Sequence, residues 1–102
     1  PNIYFSFNSV LIRKSEEVKL NEILNTLKTN PEVKVTVTGG CDTQGDVAVN
    51  KRVSKQRAEA VKAWLVKKGI EASRIQTVGK GSDDTQNAEN ARRVETTDNR
   101  NQ

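Results

Sequence analysis

The chain reads as an α+β protein: a two-layer βαβαββ sandwich, with a mixed four-stranded sheet and two main helices on one face. Three observations predict this. Valine outnumbers leucine by twelve to five, which favours a sheet alongside helices. Two short segments alternate apolar and polar residues with period two, so each strand buries one face and the helices cover a single side. Between and after them lie two longer segments whose apolar residues recur at helical spacing.

In the first strand Ile3, Phe5 and Phe7 share one face, while Tyr4 and Ser6 share the other. Ser15 then reads as a helix N-cap, with Glu16 and Glu17 at the positive end of the helix dipole. Val18, Leu20, Ile23, Leu24 and Leu27 follow at helical spacing until Asn30-Pro31 stops the helix. In 33–38, Val33, Val35 and Val37 face one way and Lys34, Thr36 and Thr38 the other, which predicts a strand. A loop over Gly39–Gly45 leads into a long helical pattern from Asp46 to Lys68, and Gly69 ends it in the C′ position. Arg74–Val78 reads as the third strand, closed by Gly79-Lys80-Gly81. Residues 82–90 read as a polar loop and 92–96 as a weaker last strand. This sets one domain over 1–96, with 97–102 a mobile tail. Helical crossovers imply parallel, right-handed pairing of the strands they join, and the polar loop permits antiparallel pairing of the last two.

Composition narrows the chemistry. At 102 residues the chain is one domain, and its 24 Leu, Ile, Val and Phe residues lie above the roughly 20% below which charged chains stay disordered. Histidine is absent, which excludes a Ser-His-Asp triad, a Cys-His dyad and any zinc site with imidazole ligands. The lone Cys41 allows neither an internal disulfide nor a cysteine cage. No cofactor or metal is therefore expected. The longest apolar run, Ala63-Trp64-Leu65-Val66, is far short of the ~20 residues needed to span a bilayer, and no stretch of these residues has the pattern expected of a signal peptide. A start at Pro1 with no methionine is expected of a mature product or of a piece of a longer protein.

The loop over Gly39–Gly45 leaves the C-terminal end of a strand and enters a helix, the position at which α/β arrangements bind ligands. It lacks the Gly-x4-Gly-Lys-Ser/Thr pattern, and Asp42 makes it a poor phosphate cradle. Its glycines and Asp42 also suit a tight turn. On the helix that follows, Asn50 and Arg57 are seven residues apart, hence about 20° apart around the axis and roughly 10 Å along it. Val53, Val61 and Trp64 lie on or near the same stripe, so Arg57 interrupts an apolar face. A guanidinium there needs a partner, and Asp42 is on offer. Such a pair is either a structural ion pair or a binding site.

The motif that contains these residues supports the second reading. Gly39-Gly40-Cys41-Asp42-x-x-Gly45, then Asn50, then Val53-Ser54-x-x-Arg57-Ala58-x-x-Val61, resembles the OmpA-like C-terminal domain family, whose members include Pal and MotB relatives. Phe5-Ser6-Phe7-Asn8-Ser9, Gly69-Ile70 with Arg74-Ile75, and Arg92-Arg93-Val94-Glu95 are similar to further family segments, in order, over residues 3–96. Gly40, Cys41 and Ala91 stand where the family pattern has His, Thr and Asn.

The resemblance implies non-catalytic binding of peptidoglycan through the diaminopimelate of the stem peptide, whose free end is a zwitterion. Asp42 would meet its ammonium and Arg57 its carboxylate, in a forked pair. Asn50 and Asn8 would add hydrogen bonds, backbone amides around Thr43 would help hold a carboxylate, and Arg92 or Arg93 would add positive charge. It also implies a periplasmic location and a role anchoring an outer-membrane or envelope protein to the cell wall, with no direct membrane insertion by this domain. Two other readings are open to the sequence. Cys41 beside a carboxylate suggests a cysteine nucleophile, but there is no histidine base and an adjacent Asp raises a thiol pKa. A small basic α+β module also suits RNA, although Tyr4 is the sole plausible stacking platform.

Overall fold

Period-two burial and helical periodicity both appear in the three-dimensional structure. The computed structural model describes residues 2–6, 9–41, 46–82 and 92–98. Strand β1 spans Asn2–Tyr4, helix α1 Glu17–Thr29, β2 Val35–Cys41, α2 Val47–Lys67, β3 Ile75–Ser82 and β4 Arg93–Asp98, with single 3-10 turns at Lys14–Glu16 and Ala72–Arg74. Ile3, Phe5, Val33, Val35, Val37 and Val94 bury their side chains against Leu20, Ile23, Leu24 and Leu27 of α1 and Ala58, Val61 and Leu65 of α2. This is the expected mixed sheet with two helices on one face. No helix among the described residues is long and apolar enough to cross a membrane.

The strand order is β1-β4-β2-β3. Only β2 and β3 form the parallel pair that a helical crossover implies; β4 lies between β1 and β2, antiparallel to both. The last two strands are therefore not neighbours, because β2 separates them. Strand β4 also runs past the expected boundary at residue 96: Thr97 and Asp98 pair with Thr36 and Val35, so ladder hydrogen bonds rather than apolar anchors hold them. Residues 99–102 lie outside the described residues, as does Phe7.

Several element ends differ from the sequence reading, each for a physical reason. Ser15 does not cap α1; it sits in the preceding 3-10 turn, and no side chain caps this helix. Val18 is exposed on the first turn of α1 rather than in the core. Arg74 is not in a strand: its guanidinium donates from Nε to the Val33 carbonyl at 3.0 Å and from Nη2 to the Leu27 and Asn30 carbonyls at 2.8 and 2.9 Å. It thereby satisfies carbonyls at the end of α1 that have no partner within the helix. At the end of α2 the Gly69 and Ile70 amides donate to the Val66 and Leu65 carbonyls, and Gly69 takes φ +107°, as a Schellman ending requires.

The glycines read as loop formers instead seat a helix. Gly39 and Gly79 are register partners on adjacent strands. A Cβ on Gly39 would collide with the Ser54 carbonyl oxygen, and one on Gly79 would fall 3.0 Å from the Lys55 Cα. Helix α2 thus lies directly on bare backbone, and β2 and β3 run on through their glycines. Gly39→Ala is expected to cost at least about 3 kcal/mol, read from urea unfolding, since the obstacle is backbone that cannot swing aside.

Glu16 closes the outer edge of β1. Its Oε1 accepts from the Tyr4 amide at 2.8 Å and from Lys19 Nζ at 3.1 Å, and the side chain is buried. Burial pushes this carboxyl upward, but the Tyr4 amide, followed by Lys19 and Arg13, more than offsets it and leaves it below the ordinary 4.5. A depressed folded-state value means that its stabilisation is present above the usual glutamate range and is lost as pH falls through the folded value. Urea midpoints measured down a pH series should therefore fall on acidification, with part of that fall missing in Glu16→Gln.

Candidate functional site

The buried stripe of α2 changes character along its length. Asn50, Ser54 and Arg57 occupy its first half, and Ala58, Val61 and Leu65 the second. The polar half lies over the end of β2, where the chain leaves the sheet. Asp46 caps the helix there, its Oδ1 accepting from the Ala48 and Val49 amides at 2.8 and 3.2 Å.

Arg57 is the centre of this cluster and is only 1% exposed. Nε donates to the Ser9 carbonyl at 2.9 Å, Nη2 to the Ser6 carbonyl at 3.0 Å, and Nη1 to the Gly40 carbonyl at 3.0 Å and to Cys41 Sγ at 3.3 Å. The guanidinium carbon also lies 5.4 Å from the Phe5 ring centroid. One side chain on α2 thereby ties together the chain following β1 and the last residues of β2. Burying a guanidinium is costly unless its donors are used, and carbonyl oxygens use them well.

Cys41 is buried at the end of β2, not in the loop where the sequence reading placed it. Its thiol donates to the Asn50 carbonyl at 3.2 Å and accepts from Arg57. It thus links two of the residues that the sequence singled out. Asn50 itself is 9% exposed.

Of the other candidates, Arg92 joins the cluster. Its Nε donates to the Phe5 carbonyl at 3.1 Å while its own carbonyl accepts from the Phe5 amide at 2.7 Å. Arg57 and Arg92 therefore hold successive carbonyls, Ser6 and Phe5, at the exit of β1. Arg93 does not join: strand alternation turns it to the other face, where Nε and Nη2 pair with Glu95 Oε1 at 2.8 and 2.6 Å. Asp42, Thr43 and Asn8 lie outside the described residues. Tyr4, the stacking platform considered for RNA, carries Lys19 Nζ 4.7 Å from its ring centroid.

Sequence reasoning passed over Ser54, which is fully buried. Its hydroxyl donates to the Lys51 carbonyl at 2.7 Å and accepts from the Gly81 amide at 2.9 Å. Gly81 adopts φ +81° where β3 carries one more residue than β2 between the pairs Gly39–Gly79 and Cys41–Ser82. Ser54 thus fastens the turn of α2 between Asn50 and Arg57 to a bulge. The signal was present in the sequence, since a serine interrupts an otherwise buried helical stripe. Ser54→Ala leaves the Gly81 amide buried without its acceptor and is expected to cost about 1–3 kcal/mol, with faster hydrogen exchange at that amide as the local readout.

A sequence profile of the OmpA family matches residues 4–100. The chain is 35% identical over 80 residues to the probable lipoprotein YiaD of Escherichia coli, an alignment covering 78% of this chain and 36% of that protein. It is 40% identical over 63 residues to the peptidoglycan-binding protein ArfA of Mycobacterium bovis, covering 62% of this chain and 19% of that one. The chain thus spans well under half the length of these curated relatives. Among solved structures, the peptidoglycan-associated lipoprotein of Burkholderia pseudomallei superposes with a TM-score of 0.86 at 25% identity, over 95% of this chain and 88% of that one.

Proposed function

The chain belongs to the OmpA family, and on that premise we propose that it binds peptidoglycan without cleaving it, through the diaminopimelate of the stem peptide. The observation that carries this reading is the Arg57 guanidinium, fixed from several directions at the exit of the sheet and bonded to Gly40 and Cys41, immediately beyond which the chain continues to Asp42. A group held in one rotamer by Ser6, Ser9 and Gly40 has little conformational freedom left to lose on binding, which favours recognition of a planar carboxylate. In this reading Asp42 takes the ammonium of the zwitterion and Arg57 the carboxylate. Asn50, Asn8, Arg92 and the backbone amides about Thr43 complete the contacts.

Two relatives bear names consistent with this function: ArfA is a peptidoglycan-binding protein, and the Burkholderia protein is a peptidoglycan-associated lipoprotein. By the same reasoning the domain works in the periplasm and tethers an outer-membrane or envelope protein to the wall. Arg57 is almost wholly covered, so a guest carboxylate gains it only by replacing a group that now covers it. Binding is then an exchange of contacts and should be weak for a single peptide.

Calorimetric titration with meso-diaminopimelate or a soluble muropeptide should give weak, saturable binding. Removing one charge-assisted contact, about 1.5–3 kcal/mol, should lower affinity by roughly ten- to a hundredfold. Asp42→Asn tests the first contact. Arg57→Lys tests the second while retaining a cation over the carbonyls, and a thermal melt confirms that each variant folds. If both fold and bind as the parent does, the site lies elsewhere.

A further inference from the structure

The charge of the chain is unevenly distributed. Helix α2 contains six basic residues, Lys51, Arg52, Lys55, Arg57, Lys62 and Lys67, against the single acid Glu59. The remainder of the chain carries eleven basic and twelve acidic residues, so this helix carries +5 and the rest −1 of the net charge of +4. Arg57 is buried in the site. Lys55 is occupied, donating to the Thr77 carbonyl at 2.8 Å and lying 3.7 Å from Glu59. The side chains of Lys51, Arg52, Lys62 and Lys67 make no hydrogen bond or ion pair among the described residues.

Lys51 flanks β3, its Cβ 3.8 Å from where a Cβ on Gly81 would lie, whereas Arg52, Lys62 and Lys67 lie on the flank and outer side of α2, over about 22 Å from the turn after Asn50 to the last residue of the helix. Like charges at Lys51 and Lys55 are an i, i+4 pair that weakens the helix. A fold under no other demand would place acids among them, and it places one. The strip is too long to serve a single amino-acid-sized guest, and its charge is complementary to an extended polyanion.

We propose that this face of α2 is a second contact surface for the wall itself, engaging free carboxylates of stem peptides neighbouring the one held at Arg57. The inference rests on the reading of the Arg57 cluster as the peptidoglycan site. Stem peptides on an intact network are held at high local concentration, so even weak contacts by exposed lysines add to one anchored site. Such contacts are screened by salt, because at about 0.1 M the Debye length is about 10 Å. A soluble monomeric muropeptide offers no neighbour and gains nothing from the strip.

The test compares co-sedimentation with purified sacculi and calorimetry with a soluble muropeptide, for the parent, Arg52→Glu/Lys62→Glu/Lys67→Glu, and the charge-conserving Lys62→Arg/Lys67→Arg. The expected result is sacculus binding by the parent that weakens about tenfold or more between about 50 and 500 mM salt. The reversed variant should lose that binding and its salt dependence, while binding muropeptide within about twofold of the parent. The charge-conserving variant should behave as the parent. Should the reversed variant not fold, as judged by circular dichroism, Arg52→Gln/Lys62→Gln/Lys67→Gln replaces it.

Equal sedimentation of parent and reversed variant at low salt overturns the inference, as does parallel loss of muropeptide binding. It is also overturned if phosphatidylglycerol vesicles or single-stranded RNA capture the parent through these residues while sacculi do not. Failure of the underlying site shows differently: Arg57→Lys and the parent would then bind muropeptide alike.

Discussion

A positive charge enclosed within the fold is the constraint on which much of this domain depends. Transferring a guanidinium out of water costs several kcal/mol, and the protein offsets this by turning three backbone carbonyls and a sulfur towards Arg57. Two of those carbonyls come from the chain that leaves β1 and one from the end of β2. The ends of two non-adjacent strands are thereby brought to a common point, with β4 running between them. Arg92 reinforces this from β4 by holding Phe5 through both its side chain and its backbone. The same contacts that stabilise the fold fix the geometry of a group suited to reading a carboxylate.

The helix that carries this charge sits unusually close to the sheet. Two facing glycines remove the side chains that would hold it away, and Ser54 spans the remaining gap to the Gly81 amide. Packing at this end is therefore backbone against backbone, with hydrogen bonds in place of apolar side chains, whereas the far half of α2 rests on Ala58, Val61 and Leu65. One helix thus has a conventional hydrophobic anchor at its C-terminal half and a polar, fully bonded seat at its N-terminal half. Polar groups on the N-terminal half are thereby held in position by hydrogen bonds and not by apolar packing.

The residues that the sequence made legible are those whose role follows from periodicity. Val33, Val35 and Val37 alternate inward, Leu20 to Leu27 line one helical face, and Gly69 ends α2 as its position suggested. Arg57 stood out because it broke an apolar stripe. What periodicity cannot reveal is where distant segments meet. Gly39 and Gly79 look like turn residues until each is seen to face α2. Cys41 looks like a loop thiol until the strand is followed to its end. Arg74 carries no mark of the three carbonyls that it gathers. The insertion of β4 was equally hidden, since a strand of few apolar residues is specified by its two neighbours more than by its own sequence.

That insertion has a mechanical consequence. Strand β1 pairs with β4 alone, beginning at Asn2 and delivering Ser6 and Ser9 to Arg57 at the opposite end. Tension applied to the polypeptide ahead of Asn2, and resisted by a guest gripped near Arg57, would run along the strand axis. The β1–β4 hydrogen bonds would then be sheared together instead of peeled apart in succession, the geometry in which a short ladder resists pulling best.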